Sequence, residues 1–272
     1  MSVIRVWQVD AFTKHAFAGN PAAVCWLEED VSDDWMQAVA AEMNLSETAF
    51  VQPYEDGYRL RWFTPAIEVD LCGHATLATS HALLNEQIHP ADKPLRFHTK
   101  SGVLVCEPNE DGSIGMDFPA TPPSVAEPSD GLLEALGVSA VWCGESRFDR
   151  IVVLADETTL TGLTPDFGAL AKVSVRGTMV TCRAERPGCD YVSRFFAPAV
   201  GINEDPVTGS AHCCLAPYWT EQLGESCLTG FQASSRGGKV VTEVRGNRVI
   251  LTGHATTVLT GNLQISQNVS QA

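Results

Sequence analysis

Two segments of the 272-residue chain match each other in residue type and order. Residues 61–66, RWFTPA, correspond to residues 194–199, RFFAPA, at an offset of 133 (194 − 61). Gly73-His74-Ala75 then corresponds to Gly209-Ser210-Ala211 at an offset of 136 (209 − 73), so three residues are inserted between the matches. Two matches in the same order predict an internal duplication, in which each half carries an aromatic-proline segment and a glycine that opens a helix.

The elements predicted around the two matches follow one order in both halves: strands, one central helix, more strands. Leu77, Ala78 and Ala82 make the helix after Gly73 apolar enough to be the buried centre of a small α/β barrel. The alternative to duplication is that an aromatic-proline segment simply ends two unrelated strands. Other predicted elements are a helix at 33–43 capped by Ser32, strands at 3–9, 22–27, 47–52, 58–63, 178–183 and 190–196, and a hairpin over 239–259.

Residues 120–130, ATPPSVAEPSD, are rich in proline and serine and are the best candidate for a domain linker. They divide the chain into an N-terminal half, residues 1–119, and a C-terminal half, residues 120–272. A strand near residues 258–270 is a candidate to complete the N-terminal half.

Composition and charge exclude several classes of partner. The formal net charge of −15 argues against nucleic acid, because phosphate binding needs clustered lysine and arginine, and no basic helix is present to dock on a membrane. The nine cysteines are odd in number and scattered, without CxxC or a zinc-site spacing, so no metal is expected. No P-loop or GxGxxG indicates a nucleotide cofactor. Because the N-terminus lacks secretory features and no apolar run approaches the roughly 20 residues that span a bilayer, we expect a cytoplasmic protein with reduced thiols.

The two predicted helix starts can bind an anion. The first amide groups of a helix have no partner within it and lie at the positive end of its dipole. Gly73 and Gly209 would let those amides approach a ligand closely. One helix start is a generic anion site, whereas two that face each other form a pocket suited to a small carboxylic acid. Each copy of the repeat is therefore predicted to supply half of one site in the cleft between the halves.

Six short motifs follow one another along the chain: residues 19–21 (GNP), 44–48 (NLSET), 63–65 (FTP), 72–76 (CGHAT), 204–209 (EDPVTG) and 235–238 (SRGG). Their order resembles that of the PhzF-like (phenazine biosynthesis-like) isomerases of the diaminopimelate epimerase superfamily, over nearly the whole chain. The resemblance implies an α+β fold of two similar domains related by a pseudo-two-fold repeat, each a barrel-like β-sheet around a central helix. It also implies a homodimer and a cofactor-free isomerase acting on a small carboxylic acid.

Glu47 opens an apolar strand, and the residues alone leave two interpretations of it. It is either a strand-edge carboxylate that points into water or a general acid/base that moves a proton between carbons of one substrate. A carboxylate in a closed, partly apolar cleft has its pKa raised towards neutrality, which suits both halves of a proton transfer. In the family that the chain resembles, the glutamate of NLSET shuttles the proton, and Glu47 matches it.

The resemblance gives roles to further residues whose sequence context also fits structural ones. His74, which otherwise fits a satisfied ring at a helix start, would hydrogen-bond the substrate or tune Glu47. Asp205, which otherwise fits a turn or N-cap, would face Glu47 across the cleft, and two carboxylates in one site would share a proton near neutral pH. The predicted substrate-binding residues are Gly73, Gly209, Ser210, Cys72, Arg236 and Asn20, although Arg236 also fits an exposed turn and Asn20 a structural role.

Cys72 suggests other functions. It stands where racemases of the superfamily have the first of two thiols, but the second half has no thiol at the matching place, and Cys213 and Cys214 fit helix packing. The alternatives are therefore a racemase or epimerase with Glu47 and Cys72 as its two bases, or a binding protein without catalysis. A thiol hydrolase is disfavoured because Cys72 and His74, two residues apart at a helix start, are expected to diverge.

Overall fold

The chain passes between two folding units at residues 117/118 and 251/252. A computed structural model describes residues 3–264, of which 3–117 and 252–264 form the first unit and 118–251 the second. The segment predicted as a linker, residues 120–130, contains a short strand of the second unit. The strand predicted near 258–270 coincides with a strand of the first unit as far as residue 264, and residues 265–270 lie outside the described residues.

The first unit is a sheet that packs around one buried helix. Its strands pair in the order β18-β1-β2-β3-β4-β6-β7-β8, and only the β2–β3 and β4–β6 pairs within that order are parallel. The elements are β1 (Val3–Ala11), β2 (Asn20–Trp26), α1 (Asp33–Met43), β3 (Glu47–Tyr54), β4 (Gly57–Phe63), β5 (Glu68–Val69), α2 (Gly73–Asn85), β6 (Leu95–Thr99), β7 (Gly102–Pro108), β8 (Ile114–Pro119) and β18 (Ala255–Gln264). Ser32 caps α1 as predicted.

The second unit repeats this arrangement. Its strands pair in the order β9-β10-β11-β12-β13-β15-β16, with β11–β12 and β13–β15 parallel. The elements are β9 (Ser124–Val125), α3 (Leu132–Leu136), β10 (Trp142–Glu145), β11 (Arg150–Val153), α4 (Glu157–Thr161), α5 (Phe167–Leu170), β12 (Thr178–Arg183), β13 (Tyr191–Ala197), β14 (Ile202–Asp205), α6 (Gly209–Leu223), β15 (Cys227–Gln232), β16 (Gly238–Arg245) and β17 (Arg248–Gly253). The predicted hairpin over 239–259 corresponds to β16 and β17, whereas α4, β14 and β15 are among the elements that were not predicted.

An equivalent ion pair occurs once inside each unit and confirms the predicted duplication. In the first unit, Arg61 binds Glu68 through two parallel hydrogen bonds of 2.7 and 2.8 Å. In the second, Arg194 binds Glu204 in the same way, at 2.7 and 2.9 Å. The arginines are offset by 133 residues and the glutamates by 136 (204 − 68), so the three inserted residues fall between them. A 3₁₀ turn at Pro198–Val200 lies in that interval.

The central helix of the first unit is buried on all sides. Leu77, Ala78 and Ala82 are at most 1% exposed, which confirms the prediction made from their apolar run. Leu77 packs against Gly253, because a methyl group placed on that glycine would lie 3.0 Å from a methyl carbon of Leu77. A helix that is buried around its circumference belongs inside a sheet, and α2 packs on β1, β2, β3 and β18. None of the helices in the described part of the chain combines the length and apolar character needed to cross a membrane.

Candidate functional site

Four predicted site residues meet in the first unit. Glu47 is the first residue of β3, Asn20 the first of β2, His74 the second of α2, and Cys72 precedes that helix. His74 Nε2 lies 3.2 Å from Glu47 Oε2, within hydrogen-bond distance although the angle falls short of a well-formed bond. On the other side of the ring, Nδ1 lies 3.3 Å from the Asn20 amide nitrogen and 3.5 Å from Cys72 Sγ. The first unit thus holds an Asn–His–Glu chain of contacts.

The contacts of His74 with Asn20 and Glu47 determine which ring nitrogen carries the proton. An amide nitrogen only donates, so Nδ1 accepts from Asn20, and the proton of the neutral ring lies on Nε2, facing Glu47. Burial lowers the pKa of His74 to about 3, because the charged ring would lose its hydration. His74 is therefore neutral near pH 7 and presents an N–H group to the Glu47 carboxylate.

A strained loop between β1 and β2 holds Asn20 in place. Phe12 and Phe17 both adopt positive φ angles, 63° and 69°, at a cost of about 1–3 kcal/mol each. Gly19 is required there, since its φ is +65° and an added methyl group would lie 2.1 Å from the Ala11 carbonyl oxygen. The backbone N–H of Phe17 donates to the buried Asp10 carboxylate at 2.6 Å, which helps to hold the loop. Strain of this kind is typical of functional sites.

The prediction that Cys72 and His74 diverge was wrong. Helical spacing governs only residues within the helix, and Cys72 has extended backbone angles (φ −144°, ψ 112°), so its thiol turns back to the ring. The contact does not make a thiolate–imidazolium pair, because the low pKa of His74 keeps the ring neutral. The interpretation of Cys213 and Cys214 as packing residues is confirmed, since both are buried in α6 and burial raises the pKa of each thiol to about 12.

In the second unit, Asp205 belongs to a network of side chains. It ends β14, and its Oδ2 accepts a 2.5 Å hydrogen bond from the Thr208 hydroxyl, so it does not cap α6. The buried Gln232 side chain donates to the Thr208 hydroxyl at 3.2 Å and to the Asp205 carbonyl oxygen at 2.7 Å. The Thr208 N–H in turn donates to Gln232 Oε1 at 2.9 Å. The direction of these bonds makes the Asp205 carboxylate an acceptor.

The other predicted residues of the second unit lie around the start of α6. Gly209 is its first residue and Ser210 its second, and the Ser210 hydroxyl lies 3.5 Å from an Arg176 nitrogen. Arg176 is held by two hydrogen bonds to the buried Asp149 carboxylate. Arg236 is half-buried in a turn between β15 and β16, so it is not the fully exposed turn residue of the alternative interpretation. That turn is tied to the Asp205 segment, because Ser234 Oγ donates to the Pro206 carbonyl at 2.8 Å.

The structure thus brings together Asn20, Glu47, Cys72, Gly73 and His74 in one unit, and Asp205, Gly209, Ser210 and Arg236 in the other. Sequence reasoning missed Thr208 and Gln232. Thr208 could have been found, since the 136-residue offset maps Cys72 onto it (208 − 72) and both residues precede a central helix. Nothing in the sequence pointed to Gln232, whose contacts depend on tertiary folding.

Two buried histidines should make the protein less stable in acid. Burial lowers the pKa of His74 to about 3 and that of His212 to about 4. The unfolded chain takes up protons below about pH 6.5, whereas the folded chain resists protonation until about pH 4, so stability falls as the pH falls through this window. From pH 6.5 to 5, the free energy of unfolding should drop by about 2 kcal/mol per histidine. Urea unfolding at pH 7, 6 and 5 measures this slope.

Variants assign the slope to the histidines. Replacing His212 by glutamine should remove about half of the slope, the share of that histidine, whereas replacing the exposed His15 should leave it unchanged. Equal slopes for the wild type and the His212→Gln variant would contradict the assignment to that histidine.

The two units define a diaminopimelate-epimerase-like fold. A hydroxyproline epimerase from Agrobacterium vitis shares that fold with a TM-score of 0.61 at 10% identity, covering 97% of this chain and 91% of that one. A likeness at this identity concerns the fold alone.

The chain belongs to the phenazine biosynthesis-like family of isomerases, since the family model described as phenazine biosynthesis-like protein matches residues 9–261. An uncharacterized isomerase from Halalkalibacterium halodurans is 48% identical over 265 residues, covering 97% of this chain and 99% of that protein. The crystal structure of a phenazine biosynthesis protein of the PhzF family from Enterococcus faecalis matches with a TM-score of 0.92 at 42% identity, covering 97% of this chain and 100% of that one.

Proposed function

We propose that this protein is a cofactor-independent isomerase in which Glu47 moves a proton within a small carboxylic acid. The observation that carries the proposal is the contact of 3.2 Å between Glu47 and His74, whose ring is neutral and held by Asn20. Such a support holds the carboxylate in place beside the start of α2. A carboxylate that is positioned in this way can act as a general acid/base.

The proposed step conserves protons. The Glu47 carboxylate takes a proton from one carbon of the substrate, and the electron pair of the broken C–H bond shifts into the conjugated acid. The protonated side chain of Glu47 then returns the proton to a second carbon of the substrate, which moves the double bond. The neutral His74 ring, in contact with Asn20, positions the Glu47 carboxylate for both transfers.

Binding of the substrate's carboxylate is assigned to the helix starts. Gly73 and Gly209 open α2 and α6, and neither helix receives a hydrogen bond from the side chain of its N-cap residue, Cys72 or Thr208. The first amides of both helices are therefore suited to an anion. We predict that Asp205 faces Glu47 across a cleft and that Ser210 and Arg236 contact the substrate. Activity measurements on Asp205→Asn and on variants that replace Ser210 or Arg236 test these predictions.

Geometry disfavours a racemase that uses Glu47 and Cys72. Two bases on opposite faces of one carbon, each about 3–3.5 Å from it, must lie about 6–7 Å apart. The ligating atoms of Glu47, Cys72 and His74 all lie within 4.8 Å of one another, too close to hold a carbon between two of them. A binding protein without catalysis is also less well supported, because the residues that assist Glu47 are in place.

We also expect a homodimer in the cytoplasm. The cytoplasmic assignment is supported by the cysteines, none of which forms a disulfide, all nine lying among the described residues. The dimer rests on family analogy, and sedimentation of the purified protein tests it, since a monomeric mass would remove it.

The proposed function is tested by a screen for proton exchange. Small cyclic and amino carboxylic acids are incubated with the protein in deuterium oxide, and deuterium incorporation is measured by mass spectrometry and NMR. We expect one chemical class to gain deuterium at a defined carbon and to change double-bond position. Incorporation at a stereocentre with racemisation would favour the epimerase, and a complete lack of exchange across the screen would favour a binding protein.

A further inference from the structure

The side chains of Glu47, Cys72 and His74 form a set of ligands that isomerisation alone does not explain. One carboxylate oxygen, one thiol sulfur and one imidazole nitrogen lie within 4.8 Å of one another. Glu47 is 15% exposed at its side chain and His74 only 6%, and Cys72 is buried. A proton shuttle needs the carboxylate and its supporting ring, whereas the thiol adds a ligand of a different chemical kind.

Each of two contacts in the cluster matches the spacing of neighbouring ligand atoms around a tetrahedral metal ion. With zinc bonds of about 2.3 Å to sulfur and 2.0 Å to nitrogen or oxygen, ligand atoms lie about 3.5 Å apart for sulfur and nitrogen and about 3.3 Å apart for nitrogen and oxygen. The corresponding contacts here are 3.5 Å from Cys72 Sγ to His74 Nδ1 and 3.2 Å from Glu47 Oε2 to His74 Nε2. Because the two contacts use different ring nitrogens, whose lone pairs point away from each other, one ion can bind only one nitrogen. The Cys72 thiol or the Glu47 carboxylate then has to turn towards that edge of the ring, a movement that the 4.8 Å limit between the three ligand atoms allows.

We propose that this cluster binds a thiophilic divalent cation, with Zn²⁺ as its biological representative. A thiolate and an imidazole favour zinc over magnesium or calcium, and a carboxylate is also a common zinc ligand. The thiol proton leaves to solvent on binding, and the charges of thiolate and carboxylate then balance that of the ion, which allows a buried complex. Three protein ligands leave the fourth coordination position to water or to a substrate oxygen.

The chain contains a second cluster that serves as an internal comparison. Glu55, Asp56 and His98 also bring three ligand atoms within 4.8 Å of one another. Both carboxylates are 61% exposed at the side chain, no thiol takes part, and Asp56 is already paired with Arg96 and His98. We expect this cluster to bind zinc far more weakly.

Zinc binding would inhibit the isomerase, a consequence that rests on the proposed function. An ion on the Glu47 carboxylate occupies the electron pairs that accept the substrate's proton. Inhibition should be reversed by a chelator. The binding itself requires no substrate, so it can be tested whether or not the isomerase reaction is found.

The test uses Co²⁺ as a spectroscopic probe and Zn²⁺ as its competitor. Chelator-treated protein is titrated with Co²⁺, and the near-ultraviolet absorption that a cobalt–thiolate bond produces is followed. We expect one Co²⁺ per chain with this band, displaced by Zn²⁺. The Cys72→Ser variant should lose the band and bind Zn²⁺ at least about 100-fold more weakly, whereas the exposed-thiol variant Cys227→Ser and the comparison variant His98→Gln should match wild type.

Further measurements separate the possible failures. Circular dichroism checks the fold of Cys72→Ser, and Glu47→Gln, which keeps the thiol, should retain the band with weaker affinity. A band that persists in Cys72→Ser, disappears in Cys227→Ser, or never forms in wild type would overturn the proposal. If metal-free protein shows no deuterium exchange while zinc still binds, only the proposed function fails.

Discussion

The Glu47→Gln variant should lose solvent-deuterium incorporation by about 10²- to 10⁴-fold, the range that a positioned general base contributes. Glutamine keeps the size of the side chain and can keep the contact with His74, but it cannot take up the proton of a carbon acid. Stability should change little, because the His74 contact survives. The rate is measured with whichever acid the deuterium screen identifies.

A matched control tests whether the loss belongs to this carboxylate. Glu42 is exposed on α1, five residues before Glu47, and its replacement by glutamine should leave exchange unaffected. Exchange that continues at the wild-type rate in the Glu47→Gln variant would reassign the base, with Asp205 as the next candidate. A drop that is matched by loss of the folded state in circular dichroism would count as structural and not as catalytic.

The Leu77→Ala variant should lower the free energy of unfolding by about 3–4 kcal/mol, within the range measured for large-to-small changes in a core. Leu77 is fully buried in α2 and packs against Gly253, where the absence of a side chain makes room for it. Truncation leaves a cavity that the surrounding strands, tied by their hydrogen bonds, cannot fill by moving inward. Urea unfolding monitored by circular dichroism measures the change.

Leu71 provides the control for that measurement. It lies six residues earlier, just before α2, and is 42% exposed. Its replacement by alanine should change the free energy of unfolding by no more than about 0.5 kcal/mol. If both variants lost the same stability, burial of Leu77 in the core would not explain the loss in the Leu77→Ala variant.

The repeat could be predicted from sequence because both its copies keep features that depend on local chemistry. A glycine that opens a helix and an aromatic-proline segment that ends a strand leave signals in consecutive residues. The ion pairs Arg61–Glu68 and Arg194–Glu204 were not predicted, although their residues lie inside the matched region. Their partners are on different strands, so only the pairing of those strands shows that they meet.

The site, too, was predicted only in part, because a motif identifies a residue but does not show which distant residue it contacts. Glu47, His74 and Asn20 were each singled out by a motif, but their order of contact, Asn20 to His74 to Glu47, required coordinates. The error over Cys72 arose because helical geometry was applied to a residue that lies just outside the helix. Gln232 left no signal, because its role depends on a strand that returns beside Asp205 after the whole of α6.

The uncapped starts of the two central helices have a consequence for how the protein meets its ligand. Most helices complete their first turn with a neighbouring hydroxyl or carboxylate, but here the thiol and hydroxyl at those places bond elsewhere. An acid bound at such a start would accept hydrogen bonds from amides that the side chain of the N-cap residue does not satisfy. Because a ligand that binds only the folded state stabilises it, thermal unfolding should shift to higher temperature when the acid is present.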